Sequence, residues 1–363
     1  MGLDEQYAYE ERQKQLNGQG KNAAKEILVT KANCDTNELY VVREEPGRGM
    51  GCFATKKIPR GTRILVEEPL LALPKYATDM QSVERAMLKQ LKALSKEQQQ
   101  SFFALHNAHK GVHSPVIGTT ITNAIPFGSA GADGGVFPRA ARINHACMPN
   151  SQNVWNENLQ KLTIHAFKDI EAGEEITIAY VDALELSEDR KGRLQGAFGF
   201  SCVCDICDIS PEEVRKRDAR LEEMARLDAG LGSGKRIMSK PLDCLHDAHT
   251  VYSMLREMGI TGSRISRVYN DALQIAIAHG DQARAKVFAE RAHEVRLILE
   301  GADSPETQRL EKLIKDPSTH GLYDATKSWA QPATVIPRDL SGDEFEQWLW
   351  RLKGWKGGLS LPN

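Results

Sequence analysis

Arg142-Ile-Asn-His-Ala-Cys-Met-Pro-Asn-Ser151 and, further on, Gly173-Glu-Glu-Ile-Thr-Ile-Ala-Tyr180 decide how this chain is read. The first block packs Asn144, His145, Cys147, Pro149 and Asn150 into one short run with little apolar periodicity. Such a segment cannot bury itself as an ordinary strand or helix. Its polar groups need fixed partners once they leave water, and that need marks a site. Taken alone, the block also fits a polar turn between strands, with His145 a satisfied core histidine. Two flanking blocks shift the balance: Gly47-Arg-Gly-Met-Gly51 upstream and Phe200-Ser-Cys-Val-Cys-Asp-Ile-Cys207 downstream.

The 363 residues give room for two domains, with the composition of a soluble globular protein. A formal net charge of −2 argues against a protein held on nucleic acid by phosphate contacts, although a local patch for nucleosomes stays open. No apolar run approaches the ~20 residues of a membrane span. The polar start, Met1-Gly-Leu-Asp-Glu-Gln6, lacks a signal-peptide core, so an intracellular location is expected, nucleus and/or cytoplasm. The cysteines are Cys34, Cys52, Cys147, Cys202, Cys204, Cys207 and Cys244. In a reducing compartment the crowded Cys202–Cys207 cluster reads as a metal site rather than a disulfide framework. Its C-x-C-x-x-C pattern supplies only part of the four ligands that a closed zinc site needs. Ordinary thiols are the alternative. Cys34, Cys52 and Cys244 read as small buried or surface residues.

Met1–Lys31 reads as a mobile tail or a weakly docked helix. Leu39–Arg43, Cys52–Thr55 and Thr62–Glu67 have strand character, with turns at Glu45–Gly51 and Ile58–Gly61. No long helix follows the Gly-x-Gly-x-Gly, so a Rossmann reading fails on context, and by itself the run is a hairpin loop. In Lys75–Gly111 the stripe Val83, Met87, Leu91, Leu94, and then Phe102 and Leu105 after a capping box at Ser95–Gln98, predicts two helices. His106, His109 and His113 fit a solvated helix end better than a metal site. Thr119–Phe127 reads as strand and turn, and Ser129–Gly135 as a mobile loop. Gln152–Trp155 and Leu162–Ala166 read as a hairpin, Asp169–Glu174 as a turn, and Ser187–Leu194 as a charged helix. From about Pro211 the pattern is helical. Ser266–Ala278 pairs with Gln282–Leu299, whose apolar face is Val287, Phe288, Ala292, Val295 and Leu299. Pro332–Pro337 reads as a linker and Glu344–Trp355 as a Trp-rich helix docked on the body.

Together and in this order, the three blocks resemble a SET-domain protein lysine methyltransferase, closest to the SET-and-MYND group, over about Glu38–Asp208. The resemblance implies an α+β fold. It would comprise a β-rich SET domain with a pseudoknot, where Arg139–Asn150 threads under the strand ending at Tyr180, and a helical insert. A zinc-binding post-SET segment and an α-helical, tetratricopeptide-like C-terminal region would follow. The boundaries are an N-terminal tail 1–35, SET N-terminal part 36–74, helical insert 75–115 and SET C-terminal part 116–187. After them come the post-SET zinc segment 188–210, the helical C-terminal domain 211–330, and a linker with C-terminal helix 331–363. No cysteine lies between Cys52 and Cys147, so the MYND zinc finger is absent and its partners are not carried over. No repeat of fixed period is visible in the helical region.

The same resemblance implies S-adenosylmethionine as cofactor, bound by backbone groups of the glycine loop at Arg48 and Met50 and by Asn123, Asn144, His145, Tyr180 and Phe200. Tyr180 takes the role of the catalytic tyrosine; outside these blocks it would be a strand-end core tyrosine. Cys147 becomes the fourth ligand of a structural zinc held with Cys202, Cys204 and Cys207. Ala146 replaces the family's usual serine, which removes one minor hydroxyl contact. Methyl transfer to an amine is an in-line displacement, so the protein must align the reactants and exclude water. A free lysine has pKa ~10.4 and must lose its proton to attack, which a dry channel favours. Aromatic walls suit the lysine stem and methylated cations. The implied function is protein-lysine N-methyltransfer to a histone or non-histone protein by a monomer, with no membrane and no strong direct nucleic-acid binding. The rival is a catalytically inactive SET scaffold acting as a protein-binding module. Against it stands the joint retention of Asn144, His145, Tyr180 and the four cysteines. Methylation of a non-protein amine is a third reading.

Overall fold

In the computed structural model of the chain, residues 39–74, 79–128 and 133–352 are described. The expectations for Met1–Lys31 and Cys34, for 75–78, for 129–132 of the glycine-rich loop and for 353–355 of the Trp-rich helix lie outside the described residues.

β1 (Tyr40–Glu45) turns into β2 (Gly49–Ala54) as an antiparallel hairpin with Glu45 opposite Gly49. Gly47 and Gly49 sit at φ +78° and +74°, where a Cβ is strained, so the turn requires glycine. β10 (Glu175–Ile178) continues the sheet beyond β2, and the two-residue β7 (Asn144–His145) pairs parallel to β10. The sheet order is therefore β1-β2-β10-β7.

The polar block finds its partners along β10. Ala146 N–H donates to the Ile178 carbonyl at 3.1 Å. Asn150 Oδ1 accepts from Thr177 N–H at 2.9 Å, and its Nδ2 donates to the Glu175 carbonyl at 2.8 Å. Ser151 Oγ donates to the Thr177 carbonyl at 2.8 Å. Side-chain bonds thus extend the short β7 ladder and stitch residues 144–151 to one strand.

Two further sheets flank this one. β3 (Arg63–Glu67), β9 (Lys161–Ala166) and β8 (Ser151–Asn156) run in the order β3-β9-β8. β4 (Leu71–Ala72), β6 (Asp133–Val136) and β5 (Ala124–Phe127) run in the order β4-β6-β5. Cys52, Leu65, Ile143, Leu162, Ile164 and Ile176 form the buried core beneath the first two sheets.

Helices α1 (Met80–Ala93) and α2 (Lys96–Phe103) occupy the insert, and Ser95 and Gln98 close the capping box ahead of α2. Thr119–Phe127 departs from its sequence reading. Thr119–Asn123 belongs to α3 (Pro115–Asn123), and only Ala124–Phe127 is strand. Ser114 caps α3 through Ile117 N–H and Pro115 takes the first turn, so local signals start a helix that β-branched composition disguises. Burial of Val116 beside Met87, Leu91 and Phe102 overrides strand propensity. The three histidines also differ from expectation. They lie in the connection between α2 and α3 rather than at a helix end, and His109 Nε2 bonds the Ala197 carbonyl at 3.1 Å.

The rest is helical: α4 (Ser187–Phe198), α5 (Pro211–Leu231), α6 (Gly234–Ser239), α7 (Pro241–Glu257), α8 (Ser263–Ala278), α9 (Gln282–Glu300), α10 (Pro305–Lys315) and α11 (Gly342–Leu349). α4 continues past Leu194 to Phe198, and Gly199 stops it in a left-handed conformation at φ +76°. α8, α9 and α10 pack together, and α11 lays Trp348 and then Trp350 into their core. Pro332–Pro337 is no free linker, because Val335 and Ile336 pack on that core. The Trp-rich helix ends at Leu349. Arg63 of β3 reaches Asp303 at 2.9 Å, Asn158 donates to the Asp303 carbonyl at 2.8 Å, and Arg264 pairs with Asp182. These bonds tie the sheets to the helices. Among the described residues no helix is long and apolar enough to cross a membrane.

Candidate active site and cysteine cluster

Successive side chains on a strand point to opposite faces, so Asn144 and His145 serve different neighbourhoods. Asn144 Nδ2 donates to Glu175 Oε1 at 2.8 Å. Glu175 Oε2 pairs with Arg48, whose other terminal nitrogen lies 3.4 Å from the His145 carbonyl.

His145 is buried, and its Nδ1 accepts the Tyr180 backbone N–H at 3.0 Å. That bond puts the ring proton on Nε2, which faces Cys147 Sγ at 3.2 Å. Burial, chiefly, pushes the imidazole down to about 4, so it is neutral. Tyr180 donates its hydroxyl to the Ile143 carbonyl at 2.7 Å. Burial, aided by the neighbouring Glu175 carboxylate, holds this phenol well above its ordinary range, so it stays protonated. Its ring lies 4.7 Å from Phe198 and 5.4 Å from His145, and Phe200 stands 6.1 Å from His145. Two phenylalanines, a tyrosine and a neutral imidazole make a largely apolar aromatic cluster.

Arg48 and Asn144 are thus joined through Glu175, and His145 links Arg48, Tyr180 and Phe200. Met50 lies on β2, two residues after Arg48, half-buried and paired with Glu44. Asn123 stands apart: its Nδ2 donates to the Thr119 carbonyl at 2.8 Å and the His106 carbonyl at 2.7 Å, pinning the end of α3 to the preceding loop. That loop rests on the Ala197–Gly199 segment, through His109 and through Ala108 beside Gly199. Sequence reasoning missed Phe198, Glu175 and Arg190. The first two adjoin residues that it named. Nothing local marked the third.

The ligand atoms of Cys147, Cys202, Cys204 and Cys207 all lie within 4.8 Å of one another. Cys147 Sγ is 3.6 Å from Cys207 Sγ and 3.9 Å from Cys202 Sγ, and all four are free thiols. Hydrogen bonds from Cys147 and Cys202 hold the Cys204 thiol well below its ordinary value. Four converging sulfurs suit tetrahedral zinc. Arg190 tests the fit. It is 0% exposed, Nη1 donates to the Glu185 carbonyl at 2.8 Å, Nη2 lies 3.7 Å from Cys207 Sγ, and Nε has no partner. A buried guanidinium that faces sulfur needs an anion there. A divalent cation with four thiolates carries net negative charge and answers that need. The Nε2–H of His145, aimed at Cys147, fits the same centre.

Cys52 is an ordinary buried thiol, pushed up to about 12 mainly by burial, and Cys244 is buried in the helical core.

The SET domain family model matches residues 49–181. Histone-lysine N-methyltransferase set5 of Schizosaccharomyces pombe is 32% identical over 321 residues, covering 87% of this chain and 95% of that protein. Histone-lysine N-methyltransferase SMYD3 of Homo sapiens is 29% identical over 165 residues, 37% of this chain and 38% of that protein. Among solved structures, the SET domain of LSMT bound to lysine and AdoHcy aligns over 86% of this chain and 95% of its own, at 11% identity and a TM-score of 0.31. A relative matched over nearly its whole length settles the affiliation: the chain belongs to the SET-domain protein lysine methyltransferases, near the SMYD group.

Proposed function

We propose that this chain methylates a lysine side chain of a histone or non-histone protein, with Tyr180 at the reacting centre and zinc on the four cysteines. One observation carries the reading. The parallel β7–β10 pairing brings Asn144, His145 and Tyr180 together, and the same imidazole touches Cys147.

Bound S-adenosylmethionine supplies a methyl made electrophilic by sulfonium. Arg48 and Asn144 hold its amino-acid end, His145 supports them, and Phe200 covers the site. Met50 lines its edge, and Asn123 acts on the site through the loop that it pins, which rests on Ala197–Gly199. Tyr180 is not a general base, because its phenol stays protonated and its proton is committed to the Ile143 carbonyl. The free lone pair on Oη accepts an N–H of the substrate amine, or a C–H of the methyl, and orients it. Tyr180, Phe198 and Phe200 exclude water from the lysine stem, which favours the neutral amine. Cys147, Cys202, Cys204 and Cys207 would hold zinc and clamp the Phe198–Phe200 segment over the site. We further assign the helices around α8–α9 to a tetratricopeptide-like unit. The enzyme is taken to act as a monomer on its protein partner inside the cell, in nucleus and/or cytoplasm.

The test is methyl transfer from labelled S-adenosylmethionine into extract proteins and core histones, beside Tyr180→Phe. Wild type labels a protein band, and the variant loses about 100-fold in rate. Equal labelling by both removes Tyr180 from the chemistry. No label and no cofactor binding leaves only the protein-binding scaffold.

A further inference from the structure

Glu175 joins two of the proposed cofactor residues without yet having a role of its own. It is the first residue of β10, the strand between β2 and β7, and its side chain is only 12% exposed. Both carboxylate oxygens are engaged. Oε1 accepts from Asn144 Nδ2 at 2.8 Å, and Oε2 pairs with Arg48 on the β1–β2 hairpin. The backbone is built around this pair. A Cβ on Gly51 would lie 2.7 Å from Glu175 Oε1 and 2.9 Å from Asn144 Nδ2, so any other residue there would push this pair aside.

The consequence follows from donor and acceptor inventories. An asparagine amide offers a donor end and an acceptor end. With Nδ2 spent on a carboxylate, Asn144 can present only Oδ1 to a ligand, and Oδ1 accepts. An arginine whose terminal nitrogens meet Glu175 and, at 3.4 Å, the His145 carbonyl still keeps further N–H groups for an anion, and Arg48 is 47% exposed. S-adenosylmethionine ends in a zwitterion, an ammonium beside a carboxylate. We infer that Glu175 is the positioning residue that sorts this zwitterion, turning Asn144 to accept from the ammonium and holding Arg48 where it meets the carboxylate. The inference rests on the proposed cofactor roles of Arg48 and Asn144 and deepens them. Glu175 itself touches neither methyl nor amine.

The experiment measures dissociation constants of the full-length protein for S-adenosylmethionine and for its decarboxylated analogue, which keeps the ammonium and lacks the carboxylate. Wild type prefers the intact cofactor by about tenfold or more, the scale of a hydrogen bond between charged groups. Glu175→Ala weakens cofactor binding by about 10–100-fold and levels the preference. Its kcat at saturating cofactor stays within about threefold of wild type, because the reacting groups are untouched. Glu175→Gln separates the two contacts. Its amide oxygen still accepts from Asn144, but its NH2 meets Arg48 as donor against donor. Binding therefore weakens by about 3–10-fold while preference for the carboxylate disappears.

Arg48→Ala and Asn144→Ala distinguish the two ways of failing. Wild-type affinity in both overturns the underlying assignment of the cofactor site. Weakened binding in both, with Glu175→Gln and Glu175→Ala unchanged, overturns the sorting role alone. Equal binding of the two cofactors by wild type overturns the placement of the carboxylate on Arg48. Should Glu175→Ala not fold, the isosteric glutamine variant still decides, since its preference between the two cofactors is independent of stability.

Discussion

Replacing Arg190 with methionine removes a buried cation while keeping apolar volume, and the result has opposite signs in two states. The guanidinium stands 3.7 Å from Cys207 Sγ. At an effective dielectric of about 20, a unit charge pair at that distance is worth about 4–5 kcal/mol. Spreading of the charge over the guanidinium makes this an upper bound. Outer partners of metal ligands contribute about 10–100-fold in affinity, or about 1.4–2.8 kcal/mol. Arg190→Met is therefore expected to weaken zinc binding by about 10–100-fold. In the metal-stripped protein the sign reverses. Without the metal's full set of thiolates, Arg190 is a buried charge with an unpartnered Nε, and an apolar replacement stabilises the fold by about 1–4 kcal/mol. The assay is chelator competition for zinc affinity, paired with urea unfolding of the stripped protein. Generic packing damage would lower both quantities. Unchanged zinc affinity, or a stripped variant less stable than stripped wild type, refutes the charge argument.

Two other perturbations test the junction and the helical core. His165 accepts from Arg63 Nε at 3.0 Å, and burial, then Arg63, pushes its ring down to about 4 from 6.5. Between those values the unfolded chain binds the extra proton. Stability is thus fully present above about 6.5 and falls as pH drops through about 4, by up to about 3 kcal/mol. His165→Gln keeps an acceptor for Arg63 and should flatten the loss of urea midpoint between neutral pH and about pH 5; an unchanged slope refutes the assignment. Trp350 is 0% exposed, with its ring 4.7 Å from Phe288. Trp350→Ala is expected to cost about 3–5 kcal/mol in unfolding free energy. A loss under about 1 kcal/mol would show that α11 is not part of the core.

Much of this architecture was legible because its signals are local. The Ser95–Gln98 capping box, the glycine turn at Gly47–Gly49 and the paired strands around Asn156–Asn158 each follow from residues a few positions apart. Misreadings arose where a distant partner decided. Thr119–Asn123 looks like strand, yet it belongs to α3, whose Val116 is buried against α1 and α2, and Ser114-Pro115 was the start signal to weigh. Gly199 was a legible stop. Extending the charged helix to it would have put Phe198 on the last turn, against Tyr180. Arg190 carries no such hint. Its charge makes sense only when Cys147 and Cys202–Cys207 converge, and no local pattern announces a guanidinium whose counter-anion is assembled from two remote segments.

The adjacency of Asn144, His145 and Cys147 has a mechanical reason. On β7, alternation sends Asn144 toward Glu175 and Arg48 and sends His145 inward. Two residues later Cys147 comes under the same imidazole. The two nitrogens of His145 then divide the work. Nδ1 fixes the backbone of Tyr180, and Nε2–H steadies a sulfur of the cysteine cluster. A metal on those sulfurs would set the position of Cys147, hence the tilt of the imidazole, hence the seat of Tyr180. It would do so without approaching substrate. Spacing the three residues further apart would let cofactor grip, tyrosine and cysteine cluster relax independently. Held within four positions, they are coupled through one imidazole, which suits the proposed alignment of a methyl with an amine.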